Sequence, residues 1–279
     1  MKRVLLTGAT GFIGRNIKPV LEKEYDVFAP TRSELDLRNA EEVLNYLKKG
    51  NFDAVIQSAN PNPVKNMAAD KQSDMFQDSM SIFMNFYRAR SHCGKVLYLG
   101  SGAEFDKRRD IRLIKEEQFG ESIPVDVYGF SKYIMNELAV KSDNVYNLRI
   151  FACYGPTDHE SKFITHAINC CKQNEPVTIR QDCYFDYMHV SDLAKIICWF
   201  IDNKPMKNDY NISTGRRERL SDIAKIVCEK MGNTQPVRIL AEGLNKEYTA
   251  DNSRLLSEMG DFKFLSLDKG IDLQIESQK

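Results

Sequence analysis

Three side chains in this 279-residue chain have the types and spacing to move a proton to or from an oxygen. Tyr128 and Lys132, in Tyr128-Gly129-Phe130-Ser131-Lys132, stand four residues apart and so share one face of a helix. A phenol of ordinary pKa, ~10, is a poor acid–base group near neutrality. A neighbouring ammonium favours the phenolate and brings it toward the working range. Ser101 lies 27 residues upstream, between two glycines, at the end of the apolar run Val96-Leu97-Tyr98-Leu99. A serine so placed is either a turn residue or a hydroxyl held over a site, and a Tyr–Lys pair alone is compatible with a plain surface pair.

A second cluster has the spacing to hold a phosphate. Thr7-Gly8-Ala9-Thr10-Gly11-Phe12-Ile13-Gly14 follows the first apolar run and opens the first helical pattern. Glycines there permit a tight turn and close approach of backbone N–H groups to a pyrophosphate at a helix N-terminus. At the end of the next strand an NAD-binding chain carries an acid for the ribose hydroxyl. Here Ala29-Pro30-Thr31-Arg32 supplies Arg32 instead, which suits the 2′-phosphate of NADP; a solvated surface cation is its other reading.

These groups need a scaffold, and the apolar pattern predicts one. Strands are expected at 4–6, 26–29, 54–56, 96–99 and 147–151, and helices at 13–24, 40–49, 74–90 and from about Tyr128. That alternation means βαβ units and a parallel sheet covered on both faces. Beyond Tyr154-Gly155-Pro156 the rhythm loosens. A helix over 163–171, a strand over 177–179, and two helices with Ser191 and Ser221 as N-caps are predicted there. The expected fold is α/β, a doubly wound Rossmann-type sheet with a smaller C-terminal α/β substrate-binding domain. Residues 1–155, with about 184–203 returning, form the dinucleotide-binding domain; 156–183 and 204–279 form the other.

Lys plus Arg and Asp plus Glu both total 39, so zero formal charge gives no reason to expect nucleic acid or an anionic membrane as partner. No apolar run approaches the ~20 residues of a membrane helix, and glycines interrupt the N-terminal apolar run too early for a signal peptide. Seven cysteines form no CxxC pair and four histidines lack ligand spacing, so reduced core thiols in a cytoplasmic protein are expected, with no metal.

TGATGFIG, Ser101 four residues before Phe105, YxxxK and LRIFACYGP occur in the order of the extended short-chain dehydrogenase/reductase family, and FDYMHVSDLA, YNISTG and SLDKGI match its second half. The resemblance spans essentially the whole chain. It implies that Tyr128 is the acid–base group, that Lys132 binds the nicotinamide ribose and lowers the tyrosine pKa, and that Ser101 hydrogen-bonds the reacting oxygen. It places Gly8, Thr10, Gly11, Phe12, Ile13, Gly14, Arg32, Asp36, Leu37, Ser58, Ala59, Asn60 and Phe151 against NADP (NADPH), with NAD the alternative. Most extended members act on nucleoside-diphosphate sugars, so the resemblance implies that substrate class, and members commonly pair as homodimers through two helices, here 74–90 and the one starting near Tyr128.

Within that family, LYLGSGAEFD and TRSELDL most resemble the GDP-fucose synthase-like branch. Gly102 and Ala103 stand where sugar dehydratases carry an Asp-Glu pair. Ala103 and Lys162 stand where the epimerising branch carries cysteine and histidine, and Glu104 comes one residue too late to replace the dehydratase acid. His166, one helical turn beyond Lys162, reads as a helix-face residue. With Ala152 and Phe185 at two usual substrate contacts, the diphosphate falls to Lys162, Arg180, Arg217 or Arg254, each of which also reads as a surface salt-bridge residue. Hydride transfer to a 4-keto group is the expected reaction. A 4-epimerase with retained NAD and a non-catalytic NADP-sensing regulator are the alternatives.

Overall fold

A computed structural model describes residues 1–61 and 69–278, with the side chains of 69–73 also left aside. The chain folds into two compact units. The first comprises Met1–Asp106, Glu116–Ile150 and Ala194–Asn211, and the second Lys107–Lys115, Phe151–Leu193 and Ile212–Lys279.

The first unit is built on a six-stranded parallel sheet. Its strands are β1 (Arg3–Thr7), β2 (Asp26–Phe28), β3 (Ala54–Gln57), β4 (Lys95–Ser101), β5 (Val145–Ile150) and β6 (Asp209–Ile212), in the order β6-β5-β4-β3-β1-β2. Central strands are buried along nearly their whole length, which is why they read as unbroken apolar runs. The helices are α1 (Phe12–Leu21), α2 (Ala40–Gly50), α3 (Ala69–Ala89), α4 (Val127–Ala139) and α5 (Val190–Asp202), whose first four residues count with the second unit. Asn39 caps α2 by accepting the N–H groups of Glu41 and Glu42, while Lys48 and Lys49 sit in its last turn, both favourable to the helix dipole. A core of Leu5, Val43, Leu47, Val55, Phe83, Phe86, Val96, Tyr98 and Met135 joins α2, α3 and α4 to the sheet. Strand order reverses between β1 and β3, and ligands in open α/β sheets bind beyond the carboxyl ends at such a point.

In the second unit, Glu218–Arg219, Tyr184–Phe185, Tyr248–Ala250 and Ile111–Ile114 form one small sheet, and Thr178–Asp182 pairs with Arg238–Leu244. Helices Phe163–Lys172, Leu220–Met231 and Leu267–Glu276 enclose a core of Tyr154, Ile168, Val177, Ile223, Val227 and Ile271. Both predicted N-caps shift. Ser221 lies inside its helix, and its N–H and hydroxyl donate to Asp182 at 3.1 and 2.7 Å, so a distant carboxylate does the capping. The helix at Ser191 starts at Val190, and the Ser191 N–H donates to His189 Nδ1 at 3.3 Å. All seven cysteines are free thiols, and among the described residues no helix is long and apolar enough to cross a membrane.

Candidate active site

The glycine-rich turn leaves the carboxyl end of β1 and enters α1. Gly8 has φ +68°, and a Cβ there would lie 2.7 Å from the backbone nitrogen of Ala59. A Cβ on Gly14 would lie 2.2 Å from the Gly8 carbonyl oxygen. Gly11, the N-cap of α1, donates its N–H to that carbonyl at 3.0 Å and has no side chain to cap the helix. Thr7 Oγ1 donates to Ile56 O and accepts the Ala59 N–H, both at 3.2 Å, tying the turn to Ser58, Ala59 and Asn60 beyond β3. Thr10 is exposed and Phe12 and Ile13 half-buried at the helix entrance. This close packing, which a Cβ at Gly8 or Gly14 would break, sets the turn at the start of α1, where free backbone N–H groups fit a dinucleotide pyrophosphate.

Beyond β2, Arg32 is exposed. Glu34 folds back to accept the Thr31 N–H at 2.7 Å and its hydroxyl proton at 2.8 Å. Asp36 is held by Arg38, whose Nη2 donates to it at 3.2 Å and whose hydrogen bonds, first among the causes, keep the carboxyl below its usual range. Leu37 is half-buried, its carbonyl accepting from Asn85.

Ser101, Tyr128 and Lys132 come together at the end of β4. The chain leaves Ser101 in a short turn over Gly102–Glu104, and Ser101 Oγ accepts the Ala103 N–H at 3.1 Å. Asp126 caps α4 by accepting the Gly129 N–H at 2.8 Å. A Cβ on Gly129 would lie 2.5 Å from the Ala103 carbonyl oxygen, so only glycine lets the first turn of α4 lie against the turn after Ser101. The Tyr128 phenol thereby comes close enough to the Ser101 side chain for that side chain to favour its ionised form. Lys132 is buried, donates to Leu99 O at 2.9 Å, and sits 4.5 Å from the Tyr98 ring centroid and 5.8 Å from that of Tyr128.

Burial pushes the Tyr128 phenol above its ordinary value; the Ser101 side chain opposes this, and the charges of Glu104 and Asp126 reinforce it. Burial pushes Lys132 down to about 8, with Glu104 opposing. Desolvation is the largest influence on the phenol and raises it, the opposite direction from the lowering expected of the ammonium.

The remaining expected residues lie in the second unit. Phe151 is buried there, its ring centroid 5.1 Å from that of Tyr248. Lys162 is the exposed N-cap of helix Phe163–Lys172, Arg180 is exposed on strand Thr178–Asp182, and Arg254 is half-buried on helix Ser253–Met259. Arg217 already donates to both oxygens of Glu247, at 2.6 and 2.7 Å, and lies 4.5 Å over the Tyr184 ring. His166 is exposed on the same helix as Lys162, its Nε2 3.6 Å from Cys170 Sγ.

The sequence matches the NAD dependent epimerase/dehydratase family over residues 4–213. The chain belongs to that family. Among relatives of this family member, the ADP-L-glycero-D-manno-heptose-6-epimerase of Pseudomonas paraeruginosa is 24% identical over 325 residues, covering 96% of each chain. Two solved structures share the fold. One is the NADP-bound GDP-mannoheptose C4 reductase of Campylobacter jejuni, with TM-score 0.84 and 17% identity, covering 99% of this chain and 98% of that one. The other is an NADP-bound GDP-L-fucose synthetase from Naegleria fowleri, with TM-score 0.83 and 17% identity, covering 99% and 92%.

This epimerase/dehydratase-family chain also joins Glu104, read from sequence only as a misplaced dehydratase acid, to buried polar groups that the sequence reading passed over. Glu104, Asn147, Arg149, Asp209 and Asn211 form one network behind Ser101. The available signal was Arg149, with Asn147, in a run expected to be a buried strand, since a buried guanidinium requires buried acceptors. In the second unit, Asp186 accepts from Thr214 N and Oγ1 and from Gly215 N at 2.6–2.9 Å, gathering that loop, and burial pushes its carboxyl up to about 6.

Proposed function

We propose that the chain is an NADP-dependent reductase that transfers hydride to the 4-keto group of a nucleoside-diphosphate 4-keto-6-deoxy sugar, with Tyr128 as proton donor. The observation that carries this reading is the packing of the first turn of α4, with Tyr128 and Lys132, against the turn after Ser101, whose next two residues, Gly102 and Ala103, bear no acid–base group. Two hydroxyls converge on one carbonyl oxygen, and nothing at 102 or 103 removes a proton from the sugar ring. When bound, the nicotinamide supplies the hydride. Ser101 orients the carbonyl, Tyr128 protonates the developing alkoxide, and Lys132 holds the ribose. A phenol kept protonated by burial suits net reduction. A screen of NADPH oxidation by purified protein against nucleotide 4-keto sugars tests this; NADPH consumption with none of them would refute it only if the wild type also leaves each sugar unreduced, so product is assayed alongside.

The competing 4-epimerase with retained NAD uses the same three residues. NAD found tightly bound in freshly purified protein would support it. The Tyr–Lys pair argues against a non-catalytic NADP sensor. The first unit is proposed to bind the dinucleotide, and the second to supply cations for the diphosphate. Of these, Arg217 is the weakest candidate, because Glu247 already matches its charge.

Arg32 is proposed to meet the 2′-phosphate. Arg32→Ala should weaken NADPH binding roughly tenfold or more and NADH binding little, since the charge-assisted contact exists only for the former. Equal losses, measured by fluorescence titration, would remove Arg32 from the site.

A cytoplasmic homodimer is also proposed. Met80, Met84 and Tyr87 of α3 pack against the subunit's own core, but Phe130 of α4 stays 39% exposed, with Phe76 of α3 stacked on it at 6.2 Å. Light scattering at micromolar concentration should give a dimer, and Phe130→Glu should give a monomer. A monomeric wild type would end this proposal.

A further inference from the structure

Behind Ser101 lies a charged group that the proposed mechanism does not use. Glu104 is fully buried at the end of the turn that Ser101 begins. Its Oε1 accepts the Ser101 N–H at 3.1 Å; its Oε2 accepts Arg149 Nε at 2.7 Å and Asn147 Nδ2 at 2.9 Å. Arg149, itself fully buried, donates Nη1 to Asn211 at 2.9 Å and Nη2 to Asp209 at 3.1 Å, with the Phe105 ring centroid 4.9 Å from its Cζ. Asn147 also donates to Asn136 Oδ1 on α4 at 2.7 Å. Even Gly100 is fitted to this network: a Cβ there would lie 1.9 Å from Asn147 Oδ1 and 2.5 Å from Glu104 Oε1.

We infer that Glu104 is a positioning residue, fixing Ser101 through its backbone N–H and placing a carboxyl group paired with Arg149 behind the Tyr128–Lys132 pair. This rests on the reading of Ser101 as the group that holds the reacting oxygen. A buried ion pair is often no more stabilising than apolar residues of the same volume, so stability alone does not account for it. The second oxygen does: only a carboxylate accepts on both sides at once. A glutamine amide would have to turn its NH₂ either toward the Ser101 N–H or toward Arg149 and Asn147, and each choice sets donor against donor. The groups around Lys132 are Tyr98 on β4, Tyr128 on its own helix and Glu104 on the turn, with Arg149 on β5 behind Glu104. Of these charges, Glu104 is the one that holds Lys132 up against desolvation.

The test is Glu104→Gln in the full chain, alone and combined with Ser101→Ala. With Ser101 present, kcat should fall roughly tenfold to a hundredfold, the size of effect expected from misplacing a group near the reacting centre. KM and NADPH affinity should change little. In the Ser101→Ala background the same substitution should cost several-fold less, because the part of its effect that runs through Ser101 is already lost and only the part through Lys132 remains. A readout free of substrate is the titration of Lys132 followed by NMR of protein labelled at the lysine Cε, with the signal assigned from Lys132→Met; its midpoint should move to lower pH in Glu104→Gln. If Glu104→Gln does not fold, Glu104→Met with Arg149→Met removes the pair at nearly constant volume and carries the same measurements. An equal loss in both Ser101 backgrounds, or an unmoved Lys132 midpoint, overturns the inference. Failure of the wild type to reduce any nucleotide 4-keto sugar would instead refute the reductase reading, and the titration would still decide the role of Glu104.

Discussion

Tyr128→Phe is expected to lower kcat by roughly 10²–10⁴-fold, the span supplied by a positioned general acid, while NADPH affinity stays within about twofold because the proton is needed only in the transition state. The phenol is half-buried and desolvation holds it protonated, so the variant keeps the ring packing and loses only the hydroxyl with its proton. Ser101→Ala should cost less, on the order of 10²-fold, as for one donor to a developing oxyanion. Steady-state kinetics with a nucleotide 4-keto sugar, beside a fluorescence titration with NADPH, separates the two quantities. A Tyr128→Phe enzyme that turns over at near wild-type rate, or that loses NADPH in proportion to activity, would contradict the assignment.

Arg149→Met is expected to be the most damaging single change to stability. The guanidinium faces Glu104 at 2.7 Å and Asp209 at 3.1 Å, and its side chain is fully buried. Removing it leaves the Glu104 carboxylate buried without its cation, which costs about 3–5 kcal/mol. For a chain of this size that corresponds to a fall in Tm of roughly 10 °C. The double substitution Glu104→Met with Arg149→Met should recover much of the loss, because it removes both charges together. Thermal unfolding followed by circular dichroism measures both variants. A single variant as stable as wild type, or a double variant less stable than the single, would show that the pair is not the linked unit described here.

The first unit was legible because its central strands are buried on both faces and therefore appear as apolar runs separated by amphipathic helices. Strand β6 was not read as a strand, and the reason lies in the network: Asp209 and Asn211, alternate residues of that strand, both accept from Arg149, so a buried strand carries polar side chains. Two-residue strands such as Tyr184–Phe185 and Glu218–Arg219 leave no period to detect. Ser191 and Ser221 misled for a related cause, since the groups that meet those helix starts, His189 and Asp182, are chosen by the tertiary fold. Ser101, Tyr128 and Lys132 were legible from type and spacing, and the structure brings them together. Their electrostatics were not, because desolvation of Tyr128 and the charge of Glu104 depend on burial. The partnership of Glu104 with Arg149, 45 residues further along the chain, has no local signature.

The central claim is that hydride passes from NADPH to carbon 4 of the sugar and that no ring proton is exchanged on the way. The most direct measurement uses NADPH carrying deuterium at the transferred position of the nicotinamide, together with a parallel reaction of unlabelled NADPH in deuterium oxide, both read by NMR of the sugar product. The account predicts deuterium at carbon 4 from the cofactor, one NADPH consumed per sugar, and no solvent deuterium at carbons 3 or 5. Solvent deuterium at carbon 3 or 5, or an isomerised sugar formed without net NADPH consumption, would contradict it.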